Sequence, residues 1–211
     1  MTVSEVMGEI EKDIIFYDQS GGGATFSGGE PLMQPEFLLE LLNQCQTQKI
    51  QTVVDTSCYA EPEIVEMVSE KTDLFLCDLK HMDSETHERF TGEGNKLILD
   101  NIRRLSKAGK KIIIRIPVIP GFNDDQENIE AMGKFSASLR RSRKGRLAAE
   151  SLGLQGVKRI DILPFNRGGK EKSARLMGNI KPMQGETPNA KEMNLIARNL
   201  SKYGVEVKIG G

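Results

Sequence analysis

Gly21-Gly22-Gly23-Ala24-Thr25-Phe26-Ser27-Gly28-Gly29-Glu30-Pro31, with a helix signal opening at Pro35, is the stretch that decides the fold. Ala24 to Phe26 is a short apolar run that reads as a strand. Ser27 to Pro31 reads as a turn, because paired glycines and a proline punctuate regular structure. Proline suits a first helical position. Behind Pro35, the residues Phe37, Leu38, Leu41, Leu42 and Cys45 recur at helical spacing and mark one buried face. Strand, polar turn and helix together make the unit from which parallel sheets with helical crossovers are built.

The unit repeats outward along the chain. Gln51 to Asp55 is rich in β-branched residues and reads as a strand, and Pro62 opens a short helix with Ile64, Val65 and Val68. Asp73 to Asp78 is the next strand, its Leu74-Phe75-Leu76-Cys77 run read as buried on both faces. A helix from about Asn95 carries Leu97, Ile98, Ile102 and Leu105 and stops at Gly109, a good left-handed cap. Lys111 to Val118 is a strong strand, closed by Pro120-Gly121. Asp124 or Asp125 caps a helix with Ile129, Met132 and Phe135. Arg159 to Leu163 is a further strand. Asn189 and Glu192 start a last helix with Met193, Ile196, Ala197 and Leu200, which Gly204 stops before a strand from Val205 to Ile209. The expected fold class is α/β, a curved or barrel-like parallel sheet in one domain over residues 1–211.

Composition narrows the function classes. With 38% hydrophobic and 28% charged residues, the chain suits a soluble globular protein. A net charge of −1 gives no whole-protein field favouring nucleic acid or an acidic membrane. No apolar run approaches the roughly 20 residues of a membrane span. The first residues lack the basic start and apolar centre of a signal peptide, so the cytoplasm is the expected compartment. The three cysteines, Cys45, Cys58 and Cys77, are odd in number and widely spaced, which argues against a disulfide framework or an all-thiolate metal site. Cys45 and Cys77 read as core packing and Cys58 as near the strand ends. The nine methionines read as core filler, and His81 and His87 as surface or partner-contact residues. The run Arg140-Arg141-Ser142-Arg143-Lys144-Gly145-Arg146, within a basic insertion expected over 138–157, reads as a solvated loop, since no aromatics are interleaved to stack bases.

In sheets of this kind the chemistry gathers at the carboxyl ends of the strands. Those ends carry Ser27, Gly28, Gly29 and Glu30; then Asp55, Thr56 and Ser57; then Asp78 and Lys80; then Arg115 within its strand; then Pro164-Phe165-Asn166. Acids and carbonyls of such a set take an ammonium, while Lys80 and Arg115 take a carboxylate, so it can hold a zwitterion. Each piece has a plainer reading. Gly-Gly-Glu-Pro is also a tight turn, Asp55 and Thr56 also begin a loop, and Asp78 and Lys80 also make a local ion pair. Arg115 is the hardest to explain away, since a buried guanidinium needs partners.

These motifs in this order resemble the glycyl-radical-enzyme activating enzymes, a branch of the radical SAM superfamily whose best-known member activates pyruvate formate-lyase. The resemblance runs from about Thr2 to Gly211. It is carried by Tyr17-Asp18-Gln19-Ser20-Gly21-Gly22-Gly23, Thr25 to Leu32, Val54-Asp55-Thr56-Ser57, Asp78-Leu79-Lys80, Arg115-Ile116-Pro117-Val118-Ile119-Pro120-Gly121, Leu163-Pro164-Phe165 and the ending Tyr203 to Gly211. It implies a partial (β/α) barrel of the radical SAM type, missing its first strand, and bound S-adenosylmethionine (SAM). By the same resemblance Gly28, Gly29 and Glu30 hold the methionyl ammonium, and Asp55, Thr56, Asp78, Lys80 and Arg115 line the carboxylate and ribose region. The implied chemistry is reductive cleavage of SAM by a [4Fe-4S] cluster, the resulting 5′-deoxyadenosyl radical taking a hydrogen atom from a glycine of a partner glycyl radical enzyme. The implied electron donor is a flavodoxin or ferredoxin, and no nucleic-acid or membrane partner is implied.

The sequence departs from the family pattern twice. The Cys-x-x-x-Cys-x-x-Cys motif is absent and expected upstream of Met1, and Cys45, Cys58 and Cys77 match none of its positions. Asn166 stands where many relatives have a histidine; its amide can bond a ribose but cannot titrate. The isolated chain is therefore expected not to cleave SAM. The alternatives are a non-catalytic module that binds SAM or docks the partner without a cluster and, on weaker grounds, an unrelated barrel enzyme acting on an amino acid. A bare sheet edge left by the absent strand is expected to lower stability or favour self-association.

Overall fold

The computed structural model describes residues 1–139, 156–165 and 187–210. The basic cluster Arg140 to Arg146, most of the expected insertion over 138–157 and Asn166 lie outside them. The strands are β1 (Gly23–Phe26), β2 (Gln51–Thr56), β3 (Leu74–Asp78), β4 (Lys111–Val118), β5 (Gly156–Pro164) and β6 (Glu206–Ile209). They form one six-stranded sheet in the order β1-β2-β3-β4-β5-β6, so the fold class is α/β, as read from the alternation. Three pairings are parallel, with Gly23 opposite Gln51, Val53 opposite Leu74 and Arg159 opposite Glu206. Among the described residues, no helix is long and apolar enough to cross a membrane.

Two compact units divide the chain. The first comprises residues 1–77, 97–112 and the described part of 142–156. It opens with two helices that the strand–helix alternation did not reveal, α1 (Val3–Glu11) and α2 (Ile14–Ser20). Their local signals were present. Thr2 and Glu5 form a reciprocal capping box, Thr2 N donating to Glu5 Oε2 at 2.7 Å. Val3, Val6, Met7, Ile10 and Ile14 then pack around Leu41, Cys45 and Ile50. Helix α3 (Pro35–Thr47) begins on its proline and buries Leu38, Leu41, Leu42 and Cys45, as its spacing predicts. Gly23 permits β1 to approach β2, because a Cβ there would overlap the Gln51 carbonyl. In β3 only one face is fully buried: Phe75 and Cys77 are inaccessible while Leu74 and Leu76 are half-buried, so the expected two-sided burial is corrected. The apolar run arose because a half-covered face also favours leucine. Helices α4 (Pro62–Lys71) and α6 (Lys96–Lys107) flank these strands in the sequence, burying Val65 and Val68, and Ile98, Ile102 and Leu105, respectively.

The second unit comprises residues 78–96, 113–141 and 157–211, so far as they are described. It contains α5 (Ser84–Thr91), α7 (Gln126–Ser138) and α8 (Ala190–Ser201). Asp125, not Asp124, caps α7 through the amide of Asn128 at 2.9 Å. Asp124 instead closes the Pro120-Gly121 turn by accepting from the Gly121 amide at 2.8 Å. Gly133 inside α7 leaves room for the Tyr203 ring, which occupies the place a Cβ would take. Methionines divide by place rather than filling the core uniformly: Met7, Met132 and Met193 are buried, whereas Met1, Met33 and Met67 are exposed.

Candidate functional site

In the first unit the Gly-Gly-Glu turn leaves β1 with positive φ at Gly28 (86°) and Gly29 (53°). No atom lies within 4 Å of a Cβ built on either residue, so conformation rather than crowding calls for glycine here. The open space is where a ligand can meet bare backbone. Glu30 then caps a short 3₁₀ turn over Pro31–Met33, its Oε1 accepting from the Leu32 amide at 3.2 Å. The same Oε1 accepts from Thr56 Oγ1 at 2.5 Å, while Oε2 accepts from the Ser57 amide at 2.8 Å and from Ser57 Oγ at 2.6 Å. A carboxylate offers about four lone-pair sites, so the chain's own donors occupy this one fully. Thr56 is buried, and Asp55, half-buried, lies on the opposite face of β2.

Ser57, one of the strand-end residues but given no binding role by the resemblance, is a full member of this group. It was visible as the hydroxyl after Thr56, but nothing local tells that both its donors turn to a carboxylate 27 positions away. Asn101 is a second such residue. Its Nδ2 donates to the carbonyls of Cys58 and Ala60 at 2.9 and 2.8 Å, pinning the loop that follows β2.

In the second unit, Asp78, Lys80 and Arg115 come together. Arg115 Nε and Nη2 reach Asp78 Oδ1 at 3.2 and 3.0 Å, and Lys80 Nζ reaches Oδ2 at 3.3 Å. All three side chains are between a fifth and a third exposed, so the group is ordered yet reachable. Two cations around one carboxylate leave a formal positive charge, suited to a carboxylate or to hydroxyl acceptors. The local ion pair that was the plainer reading of Asp78 and Lys80 is thus present, and Arg115 has found in Asp78 the partner that its half-buried position calls for. The Phe165 amide donates to the Val118 carbonyl at 3.1 Å, setting the end of β5 beside the end of β4.

Neither histidine is a surface residue, which corrects the sequence reading. His81 is buried, accepts from the Asp83 amide through Nδ1 at 3.0 Å, and lies against the Phe122 ring. His87, also buried, makes a 2.6 Å hydrogen bond between Nδ1 and the Glu93 carbonyl, and its burial lowers its pKa. The three cysteines are all buried and reduced. Cys45 Sγ lies 4.0 Å from Met7 Sδ, while Cys58 and Cys77 bring their sulfurs to 3.2 Å. Among the described residues, no group of three or more His, Cys, Asp or Glu is placed to hold a metal ion.

Comparison with known proteins adds what geometry alone does not. Residues 1–132 match the family model of the radical SAM superfamily. The whole chain is 36% identical to the trans-4-hydroxy-L-proline dehydratase activating enzyme of Clostridioides difficile and covers 65% of it. It is 37% identical to the (2S)-3-sulfopropanediol dehydratase activating enzyme of Klebsiella oxytoca and covers 63% of that protein. The chain thus spans a little under two thirds of the length of these curated relatives. A crystallised domain of pyruvate-formate lyase-activating enzyme from Bacteroides vulgatus superposes on 90% of this chain and 99% of its own, with 36% identity and a TM-score of 0.71.

Proposed function

The chain belongs to the radical SAM superfamily, in the branch of the glycyl-radical-enzyme activating enzymes, and on that premise we propose that it is the SAM-binding part of an activase. In its complete form this cytoplasmic activase removes a hydrogen atom from a glycine of a partner glycyl radical enzyme, with a flavodoxin or ferredoxin supplying the electron. The observation that carries the reading is the Gly28-Gly29-Glu30 turn, where open backbone stands beside a fully hydrogen-bonded carboxylate. Because Glu30 is saturated by Leu32, Thr56 and Ser57, its part is to hold the turn. The acceptors left for a methionyl ammonium are then the carbonyls of the turn, reached where no Cβ intervenes. Asp55 and Thr56 belong to the same proposal. Asp78, Lys80 and Arg115 are assigned the carboxylate and ribose contacts on grounds of charge. Asn166 is retained as a ribose contact from its amide chemistry alone.

The family's iron–sulfur cluster supplies the electron that cleaves SAM. Cys45, Cys58 and Cys77 do not fit such a cluster: they are buried, only two are neighbours, and no third ligand joins them among the described residues. No step through a cluster is derived for these residues. For this stretch alone, that misfit favours a second reading in which it binds SAM or docks the partner without carrying out the chemistry.

Titration calorimetry of SAM into the folded chain tests the proposal. Saturable binding is expected, weakened at least about tenfold, or ~1.4 kcal/mol, in Gly29→Val, whose side chain resists the positive φ. Absence of heat with the wild-type chain, folded by circular dichroism, refutes the SAM reading.

A further inference from the structure

We propose that Cys58 and Cys77 are an oxidisable dithiol, which peroxide closes to a disulfide, and that closing it disturbs the turn held by Glu30. The two sulfurs lie 3.2 Å apart in the reduced chain, although 19 residues separate them. Buried thiols are ordinarily inert core filler. Three features set this pair apart from Cys45. First, each thiol already faces a partner, so closure needs no large movement of the backbone. Second, Cys58 has φ +61°, one of two non-glycine residues with positive φ among those described, so its loop is held away from its relaxed conformation. Third, the clamp on that loop is incompletely satisfied: Asn101 donates to Cys58 and Ala60, but its buried Oδ1 has no partner. A strained loop on an imperfect clamp opens more readily than the strand carrying Cys77.

The chemistry balances without any other group. When the loop opens, the Cys58 thiolate attacks hydrogen peroxide, forming a sulfenic acid and releasing hydroxide, which takes up the thiol proton as water. On reclosure the Cys77 sulfur attacks the Cys58 sulfur, and the departing hydroxyl leaves with the Cys77 proton as a second water. Two thiols lose two electrons in total, and one peroxide gains them. Cys45, on the buried face of α3 with its pKa raised by desolvation, has no sulfhydryl partner and stays reduced.

The consequence reaches Glu30 through two hydrogen bonds. The Cys58 amide donates to Thr56 Oγ1 at 2.8 Å, and that hydroxyl donates to Glu30 Oε1. Moving Cys58 toward Cys77 pulls on this relay. The proposal stands apart from SAM binding, since its readouts are mass and amide exchange.

The test takes the anaerobically purified chain, exposes it to hydrogen peroxide, alkylates it without reduction and maps its peptides by mass spectrometry. Sulfoxide at the exposed Met33 confirms the dose. The expected product is a Cys58–Cys77 cross-linked peptide, two hydrogens lighter, with Cys45 alkylated, and hydrogen exchange at the Ser57 and Cys58 amides faster by about tenfold. In Cys77→Ser the oxidation stops at a Cys58 sulfenic acid, trapped by dimedone, with no cross-link. The proposal is overturned if both thiols remain alkylatable when Met33 is oxidised, if Cys45 or a second chain supplies the partner, or if exchange at Ser57 and Cys58 is unchanged.

Discussion

Replacing Glu30 by alanine removes the acceptor of four hydrogen bonds, those from Leu32 N, Thr56 Oγ1, Ser57 N and Ser57 Oγ. The four losses are unequal. Thr56 is only 3% exposed, so its hydroxyl cannot turn to water, and its bond to a carboxylate counts nearly in full, ~2 kcal/mol. The three part-buried bonds from the Leu32 amide and from Ser57 are taken at the low end, about 0.5 kcal/mol each. The total is about 3.5 kcal/mol, which in a domain of this length lowers the melting temperature by about 7–14 °C. Urea unfolding of the ligand-free protein at neutral pH, followed by circular dichroism, measures it. Thr56→Val supplies the second arm of a cycle. In the Glu30→Ala background the Thr56 bond is already gone, so the double variant falls short of the sum of the singles by about 1–2 kcal/mol. Additivity within ~0.3 kcal/mol, or a Glu30→Ala loss below about 1 kcal/mol, refutes the assignment of Glu30 as the clasp between the turn and β2.

Burial lowers the pKa of His87 below its ordinary 6.5. The unfolded chain therefore takes up a proton before the folded one does, so this contribution is complete above pH 6.5 and is lost as pH falls through the folded pKa. Urea midpoints should drop between about pH 7 and pH 5.5, and His87→Gln should flatten that slope; an equal slope in both proteins would refute it. Gly133→Ala gains about 1 kcal/mol of helix propensity but drives a methyl into the Tyr203 ring, for a net loss of about 1–2 kcal/mol. The loss should vanish in the Gly133→Ala, Tyr203→Ala background when each is compared with its own parent, and a stabilised single variant would overturn the packing argument.

What could be read in the sequence was whatever is written locally. Leu38, Leu41, Leu42 and Cys45 declare the inner face of α3 by spacing, and Asn189 with Glu192 declares the start of α8 by side-chain chemistry. The strand ends were legible for the same reason, since a polar residue after an apolar run is a local event. Residues whose meaning lies in a distant partner were not legible. Ser57 reads as a loop hydroxyl until Glu30 is beside it, and His81 and His87 read as surface because the side chains and backbone carbonyls that enclose them are not encoded by spacing. Helices α1 and α2 fall between these cases: the capping box of α1 was local, but α2 has no side-chain cap and leaves Ile15 and Phe16 exposed, so it lacks the one-sided apolar stripe by which a helix is recognised.

The saturation of Glu30 bears on how a Gly-Gly-Glu turn can serve a ligand at all. An acidic residue beside two glycines invites the view that the acid binds and the glycines merely bend. The hydrogen bonds favour a different division of labour. With the donors from Leu32, Thr56 and Ser57 in place, the carboxylate has little capacity left for an incoming ammonium, whereas Gly28 and Gly29 carry carbonyls and present no side chain in front of them. The acid then fixes the positive-φ turn to the end of β2, and in the proposed reading binding falls to the turn. A contact made through backbone cannot be removed by truncating a side chain, so the vulnerability of such a site moves to the anchor. Here the anchor is the relay from Glu30 through Thr56 to Cys58, the loop residue whose sulfur faces Cys77. In the proposed SAM-binding activase, the cofactor's cradle and the one close thiol pair among the described residues thus share a single line of hydrogen bonds.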